Sequence, residues 1–155
     1  MTDPQGGLFI GKKAIDYALF LLSFRDRSEG EIRKRLEERF PKGEVDEAVK
    51  RLKELSLIND LSFASNFIKG RKKGKILLLK ELLRKGVSRE DAERVLSELD
   101  ELPISIEAGR KKALSLRGLL YKDFRAKLYR YLKMRGFSQD VIEEATRRLW
   151  EEVKR

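Results

Sequence analysis

The chain has no cysteine and no histidine. Without cysteine there is no disulfide and no thiolate nucleophile; without either residue, the usual zinc sites and Ser-His triads are excluded. Carboxylate-only metal sites and lysine chemistry are not excluded by composition, but no residues are spaced for them. Asn and Gln number two each beside 40% charged residues, a balance that fits a heat-adapted source. No apolar run approaches the roughly 20 residues needed to span a bilayer. The opening MTDPQGGLFIGKK lacks a signal-peptide pattern, so a cytoplasmic location is the expectation. Strand signals are missing as well, since no period-2 alternation is sustained between turn residues. The segment GRKKGK sets Lys beside Gly but lacks the preceding strand and the spacing of a phosphate-binding loop.

What is present is charge and helical periodicity. The 155 residues carry a net +10, unevenly placed. Residues 1–60 hold 12 cations and 12 anions, whereas residues 106–155 hold 14 and 7. From Lys69 to Arg89 nine cations face Glu81 alone, and from Arg110 to Arg135 ten face Asp123 alone. Two such blocks attract a polyanion or an acidic protein surface.

The apolar residues recur at helical spacing almost throughout. Ile15, Ala18, Leu19 and Leu22 share one face. Ser28 and Glu31 read as a capping box opening a helix with Ile32, Leu36 and Phe40 inside, which Pro41 stops. Val45, Ala48, Val49, Leu52 and Leu55 form the next stripe. Asn59-Asp60 caps a helix with Phe63, Phe67 and Ile68, weakened near its end by Gly70 and Gly74. Leu78, Leu79, Leu82 and Leu83 follow; then Ser88 caps Ala92, Val95, Leu96 and Leu99. Leu102-Pro103 reads as a break before a weaker helix from Ile106 to Leu116. Phe124, Leu128 and Leu132 precede a last helix with Ile142, Ala145, Leu149 and Val153. The fold class is all-α, with nine helices. The segment KGVSREDAERVLSEL (Lys85 to Leu99) lies over RGFSQDVIEEATRRL (Arg135 to Leu149) at an offset of 50, and Val45 to Leu52 lies over Ala92 to Leu99 at 47. In the first pair Gly falls on Gly and Ser on Ser: the Gly ends one helix left-handed and the Ser caps the next. A period of 47–50 residues with three helices each is a tandem helical array. The implied bounds are an extension at 1–12 and repeats at 13–58, 59–102 and 103–155.

Three stretches carry a family resemblance: Ser28, Glu31, Ile32, Arg33 and Leu36; then Leu57 to Asp60, Phe63, Ala64, Phe67, Ile68 and Arg71; then Glu81, Leu82 and Lys85 to Val87. They resemble the RecX family, regulators of the RecA recombinase, from about Ala14 to Leu99, with the third repeat fitting in pattern. Two departures are Asn59, where the family shows a second acid, and Phe40-Pro41-Lys42-Gly43, where Lys-Gly-aromatic is expected. The resemblance implies three three-helix units in an elongated, curved body lying in the groove of a RecA filament on single-stranded DNA. There it would restrain filament growth, ATP hydrolysis, strand exchange and co-protease activity toward the SOS repressor. It implies no catalytic residues, and the chain is expected to be a non-enzymatic, monomeric protein without cofactor or metal.

Two surfaces are candidates for the partner. The first is the run Lys69, Arg71, Lys72, Lys73 and Lys75, five cations in seven positions from which acids are excluded in sequence. Lys80 and Arg84 follow on the outer face of the next helix, beside Leu77, which serves either to pack between repeats or to touch the partner. The bland alternative for the run is a solvated helix end. The second is the helix from Tyr121 to Arg135, where Lys122, Arg130 and Lys133 point away from Phe124, Leu128, Tyr131 and Leu132, with Arg125 and Tyr129 on the flank. Arg110, Lys111 and Lys112 add charge to the same unit. A basic face with an aromatic beside it suits phosphate contacts and base stacking, and equally an acidic protein groove; the alternative is a solubilising face. The acids Glu90, Asp91, Glu93, Glu143 and Glu144 are read as lying mostly in first turns, where they complement helix dipoles. Direct binding of single- or double-stranded DNA is the rival reading.

Overall fold

Residues 13–154 are described by the computed structural model; the expected extension at 1–12 lies outside them. Among the described residues there are nine helices and no strand: α1 (Ala14–Leu22), α2 (Glu29–Glu37), α3 (Lys42–Glu54), α4 (Asp60–Ile68), α5 (Lys75–Arg84), α6 (Arg89–Leu96), α7 (Glu101–Ser115), α8 (Tyr121–Met134) and α9 (Gln139–Val153). None is long and apolar enough to cross a membrane. The chain gathers into two compact units. One takes in the chain as far as Phe67 together with Leu82–Ala92; the other takes Ile68–Glu81 and the chain from Glu93 on.

In the first unit α1, α2 and α3 pack on one another around Tyr17, Ala18, Leu21, Ile32, Leu36, Val45, Val49 and Leu52. The capping box forms as read: Ser28 Oγ accepts from the Glu31 amide at 3.1 Å and the Glu31 carboxylate accepts from the Ser28 amide at 3.2 Å. The expected face of α1 is corrected. Ala18 is buried and Ile15 and Leu22 pack against the core as expected, but Leu19 is 42% exposed, and Ala14, Tyr17 and Leu21 turn inward beside Ala18. This helix, AIDYALFLL, is apolar nearly all round, so periodicity leaves its inner face undecided. Leu55 likewise leaves the α3 stripe, because it is the C-cap and 45% exposed. Pro41 does not stop α2, which ends at Glu37; it caps the start of α3, where its fixed φ suits the entry.

In the second unit α7, α8 and α9 enclose Ala113, Phe124, Leu128, Leu132, Phe137, Ile142, Ala145 and Leu149. Each of the fully buried leucines contributes about 2 kcal/mol through the apolar area removed from water. Leu102-Pro103 is not a break. Asp100 caps α7 through the Leu102 amide at 3.2 Å, and Pro103 sits in the first turn, where its missing N–H has no intrahelical partner to lose. The helix is therefore 15 residues long rather than the shorter one expected from Ile106.

Both elbow glycines are left-handed as the repeat requires, Gly86 at φ +88° and Gly136 at φ +91°. Each seats its elbow on the N-terminal turn of another helix. Within the first unit Gly86 lies on Gly30 of α2, where an added Cβ would come within 2.5 Å of the Gly86 oxygen, and Ser28 Oγ donates to the Lys85 carbonyl. Within the second unit Gly136 lies on Gly74, ahead of α5. There the Gly74 amide donates to the Arg135 carbonyl at 2.8 Å and the Ile76 amide to the Gly136 carbonyl at 3.1 Å. An acid helps cap each receiving helix: Asp60 Oδ1 accepts from the Glu29 amide at 2.8 Å, and Glu101 Oε2 from the Lys75 amide at 2.9 Å. Leu77 is part of the second joint, its backbone and Cβ lying against Gly136, so packing is its role.

Candidate partner-binding site

Of the two candidate surfaces, folding rearranges the first and assembles the second. The run from Lys69 to Lys75 is not a helix end. Its first residues follow α4 as a turn, with Gly70 at φ +72°, and residues 71–74 are an irregular connection into α5. Folding also brings acids to it, Glu81 from the same stretch and Glu101 and Glu107 from farther along the chain. Lys73 Nζ is bound by both oxygens of Glu81, at 2.5 and 3.2 Å, with the Glu81 side chain only 17% exposed. Lys72 pairs with Glu107 at 3.2 Å, and Lys75 is half-buried with its amide committed to Glu101. Lys73 and Lys75 therefore hold the connection in place, while Lys69, Arg71 and Lys72 are exposed. Lys80 and Arg84 are exposed on α5.

The second surface is built on α8. Its inner stripe of Phe124, Leu128 and Leu132 is fully buried, which forces the intervening positions outward. Arg125, Ala126, Tyr129, Arg130 and Lys133 consequently line one side of an open groove of about 530 Å³, with Gln139 and Glu143 of α9 on the other. Lys133 Nζ lies 6.0 Å from the centre of the Tyr129 ring, and Arg125 Nη2 donates to Glu143 Oε1 at 3.1 Å. The groove thus presents three cations and a half-buried aromatic against one carboxylate. Such a composition recognises an anionic partner with a flat or apolar element beside its charge. Gln139 and Glu143 were missed as lining. Their four-residue spacing at the start of α9 puts them on one face, but only the α8–α9 packing aims that face at the groove.

The other expected residues stand apart from it. Arg110 is held by Glu152, with nitrogen–oxygen distances of 3.1 Å for both Nε and Nη2, and the Glu152 carboxyl is held below its usual range by that hydrogen bond. Lys112 Nζ lies 5.7 Å from the centre of the Tyr131 ring, which Arg135 also covers at 4.1 Å, so that stack is internal to the unit. Lys111 and Lys122 are exposed and outside the groove lining. Glu144, expected in a first turn, stands in the second turn of α9 instead; it anchors Arg147 and Arg148, and those bonds lower its carboxyl to about 2. Among the described residues no three His, Cys, Asp or Glu side chains are grouped to hold a metal ion.

Comparison with known proteins gives a consistent picture. Residues 14–52 match the first three-helix domain of RecX and residues 106–146 the third. A regulatory protein RecX from Chlorobium phaeobacteroides is 41% identical over 139 residues, covering 86% of this chain and 91% of that protein. One from Thermus thermophilus is 33% identical over 146 residues, covering 92% and 96%. The crystal structure of RecX from Lactobacillus salivarius shares the fold, with a TM-score of 0.82 at 24% identity over 88% of this chain and 94% of that one.

Proposed function

This chain belongs to the RecX family, and from that premise we propose that it is a non-enzymatic regulator that docks on the RecA–single-stranded DNA filament and restrains it. The docking is carried by the α8–α9 groove, with Lys69, Arg71, Lys72 and Lys80 of the same unit as further contacts. The observation that supports this reading is the alignment of Arg125, Tyr129, Arg130 and Lys133 along one open groove, while the core stripe of the same helix is fully buried. Arg125 is tied to Glu143, but Arg130 and Lys133 stand three residues apart on the outer face, a like-charge spacing that destabilises an isolated helix slightly. An acidic partner surface offsets that cost. Inhibition by docking covers filament growth, ATP hydrolysis, strand exchange and co-protease activity together, because each depends on the filament's geometry.

A second reading, direct binding to DNA, draws on the half-buried Tyr129 ring beside those cations, the combination that binds single strands by phosphate contact and stacking. One titration separates the two. DNA-dependent ATP hydrolysis by the cognate RecA is followed on preformed filaments at moderate salt, beside binding of this protein to the same DNA without RecA. Inhibition at concentrations that leave free DNA unbound supports filament docking. Inhibition only once free DNA is coated, falling steeply with added salt, supports the DNA reading. No inhibition removes the proposal.

A further inference from the structure

The α8–α9 groove holds one group of the wrong sign for an anionic occupant. Glu143 stands on its wall across from Arg125, Arg130 and Lys133. Neither the helix dipole nor stability accounts for it. Glu143 is the fifth residue of α9, beyond the first turn where an acid complements the dipole, a place that Asp140 fills. Its ion pair with Arg125 joins side chains that are 44% and 51% exposed, and such a pair contributes little to folding. Both of its hydrogen-bond donors are groove residues, Arg125 Nη2 at 3.1 Å and Gln139 Nε2 at a long 3.5 Å. What Glu143 touches is the groove and nothing else.

A carboxylate in that position sorts anions by what accompanies them. It engages the nearest arginine and repels any negative group that approaches its side of the groove. A polynucleotide carries a phosphate at every nucleotide, so a strand threading the groove sets one against Glu143 with no donor cation of its own to answer it. A protein segment mixes its groups. Its carboxylate can meet Arg130 and Lys133 and a flat or apolar side chain can meet Tyr129, while a backbone N–H or an amine donates to Glu143. Discrimination of this kind comes from a repulsive element as much as from the attractive ones.

Resting on the reading of this groove as the docking site, we propose that Glu143 is its specificity-determining residue. It admits a protein segment that sets a hydrogen-bond donor beside a carboxylate, and it turns away bare single-stranded DNA. Without it, three cations and a ring would form a general site for polyanions.

The test compares the full chain with its Glu143→Gln variant, an isosteric change at an exposed side chain, in two titrations. In the first, fluorescence anisotropy follows a labelled oligothymidylate at low salt without recombinase. Glu143→Gln is expected to bind it about fivefold tighter, the effect of removing one like charge at about 4 Å in water. Its salt slope should be steeper by about 0.7, as Arg125 turns to a phosphate. In the second, inhibition of the cognate RecA's ATP hydrolysis should not improve with the variant. Glu152→Gln is the control: it frees Arg110 in the same way but outside the groove, and should leave both titrations unchanged. Equal gains in DNA binding from Glu143→Gln and Glu152→Gln would reduce the effect to net charge and overturn the assignment. So would DNA binding by Glu143→Gln no tighter than its parent's, or inhibition that tightens in step, since the carboxylate would then oppose every anion alike. The docking reading fails separately, by intact inhibition in a chain carrying Arg125→Glu and Arg130→Glu, whereas the oligothymidylate arm reports on Glu143 without any recombinase.

Discussion

The joint between Gly136 and Gly74 offers a way to separate backbone strain from lack of space. Substituting Gly74 by Ala introduces no left-handed strain, since its φ lies outside the positive range. The new Cβ would instead collide with the oxygen and carbon of Gly136 and come within 2.5 Å of the Phe137 nitrogen, all backbone atoms. Backbone seated in a joint cannot rotate aside as a side chain does, so the elbow must withdraw. Withdrawal breaks two hydrogen bonds, Gly74 to Arg135 and Ile76 to Gly136. At about 1 kcal/mol net for each, with more where a buried group is left unpaired, the cost is about 3 kcal/mol. Gly70→Ala is the control, because its φ of +72° imposes strain while nothing lies within 4 Å of the new methyl. It should cost about 1–2 kcal/mol. Gly136→Ala meets both penalties, φ +91° and contact with the Leu77 backbone, and should be the most damaging of the three. Urea unfolding followed by far-ultraviolet circular dichroism gives the three values with slopes that report whether the unfolding unit has changed. A Gly74→Ala variant no less stable than Gly70→Ala would refute the reasoning, because it would mean that the joint yields without loss.

Four further outcomes follow from particular side chains. The Thr146 hydroxyl is buried, and its oxygen has no hydrogen-bond partner, so Thr146→Val should raise stability by about 1 kcal/mol in the same assay. The Asp60 carboxyl is pushed above its usual range, first by burial and further by Glu29 and Asp91, so it destabilises the fold at pH values above its folded pKa. That penalty should fade as pH drops from the raised folded value toward the unfolded one, because the folded chain then binds the extra proton. Asp60→Asn keeps an acceptor for the Glu29 amide, and should leave stability at pH 7 equal or higher while removing this acid-side gain, as read from unfolding midpoints at neutral and mildly acid pH. Arg125→Glu with Arg130→Glu should abolish inhibition of the recombinase's ATP hydrolysis. Arg110→Ala, whose side chain is spent on exposed Glu152, should leave inhibition unchanged and alter stability by at most about 1 kcal/mol.

The parts of the fold legible in the sequence are those set by local chemistry. The Ser28–Glu31 box, the two left-handed elbows and the stripes of α3, α8 and α9 each depend on residues within a turn or two of one another. What escaped the reading depends on partners far along the chain. The run from Lys69 to Lys75 looked free of acid because Glu101 and Glu107 are distant in sequence, and only folding brings them back. Gly74 looked like a residue that merely weakens its helix and Gly30 carried no signal at all, and the purpose of each shows only once an elbow is seated on it. The groove on α8 was legible on one side, since a fully buried stripe dictates what points away from it, while its α9 wall was not.

The first unit is assembled from two separated lengths of chain, and that bears on how it is made. A ribosome delivers residues in order, so α1, α2 and α3 emerge well before Lys85 and Gly86, which seat on the start of α2. Until then the Gly30 surface is open to water and Ser28 Oγ lacks its acceptor. The early helices have to wait while α4 and α5 are synthesised. A translational pause before Lys85 would prolong that exposure, whereas one after Ala92 would come once the whole unit had been made.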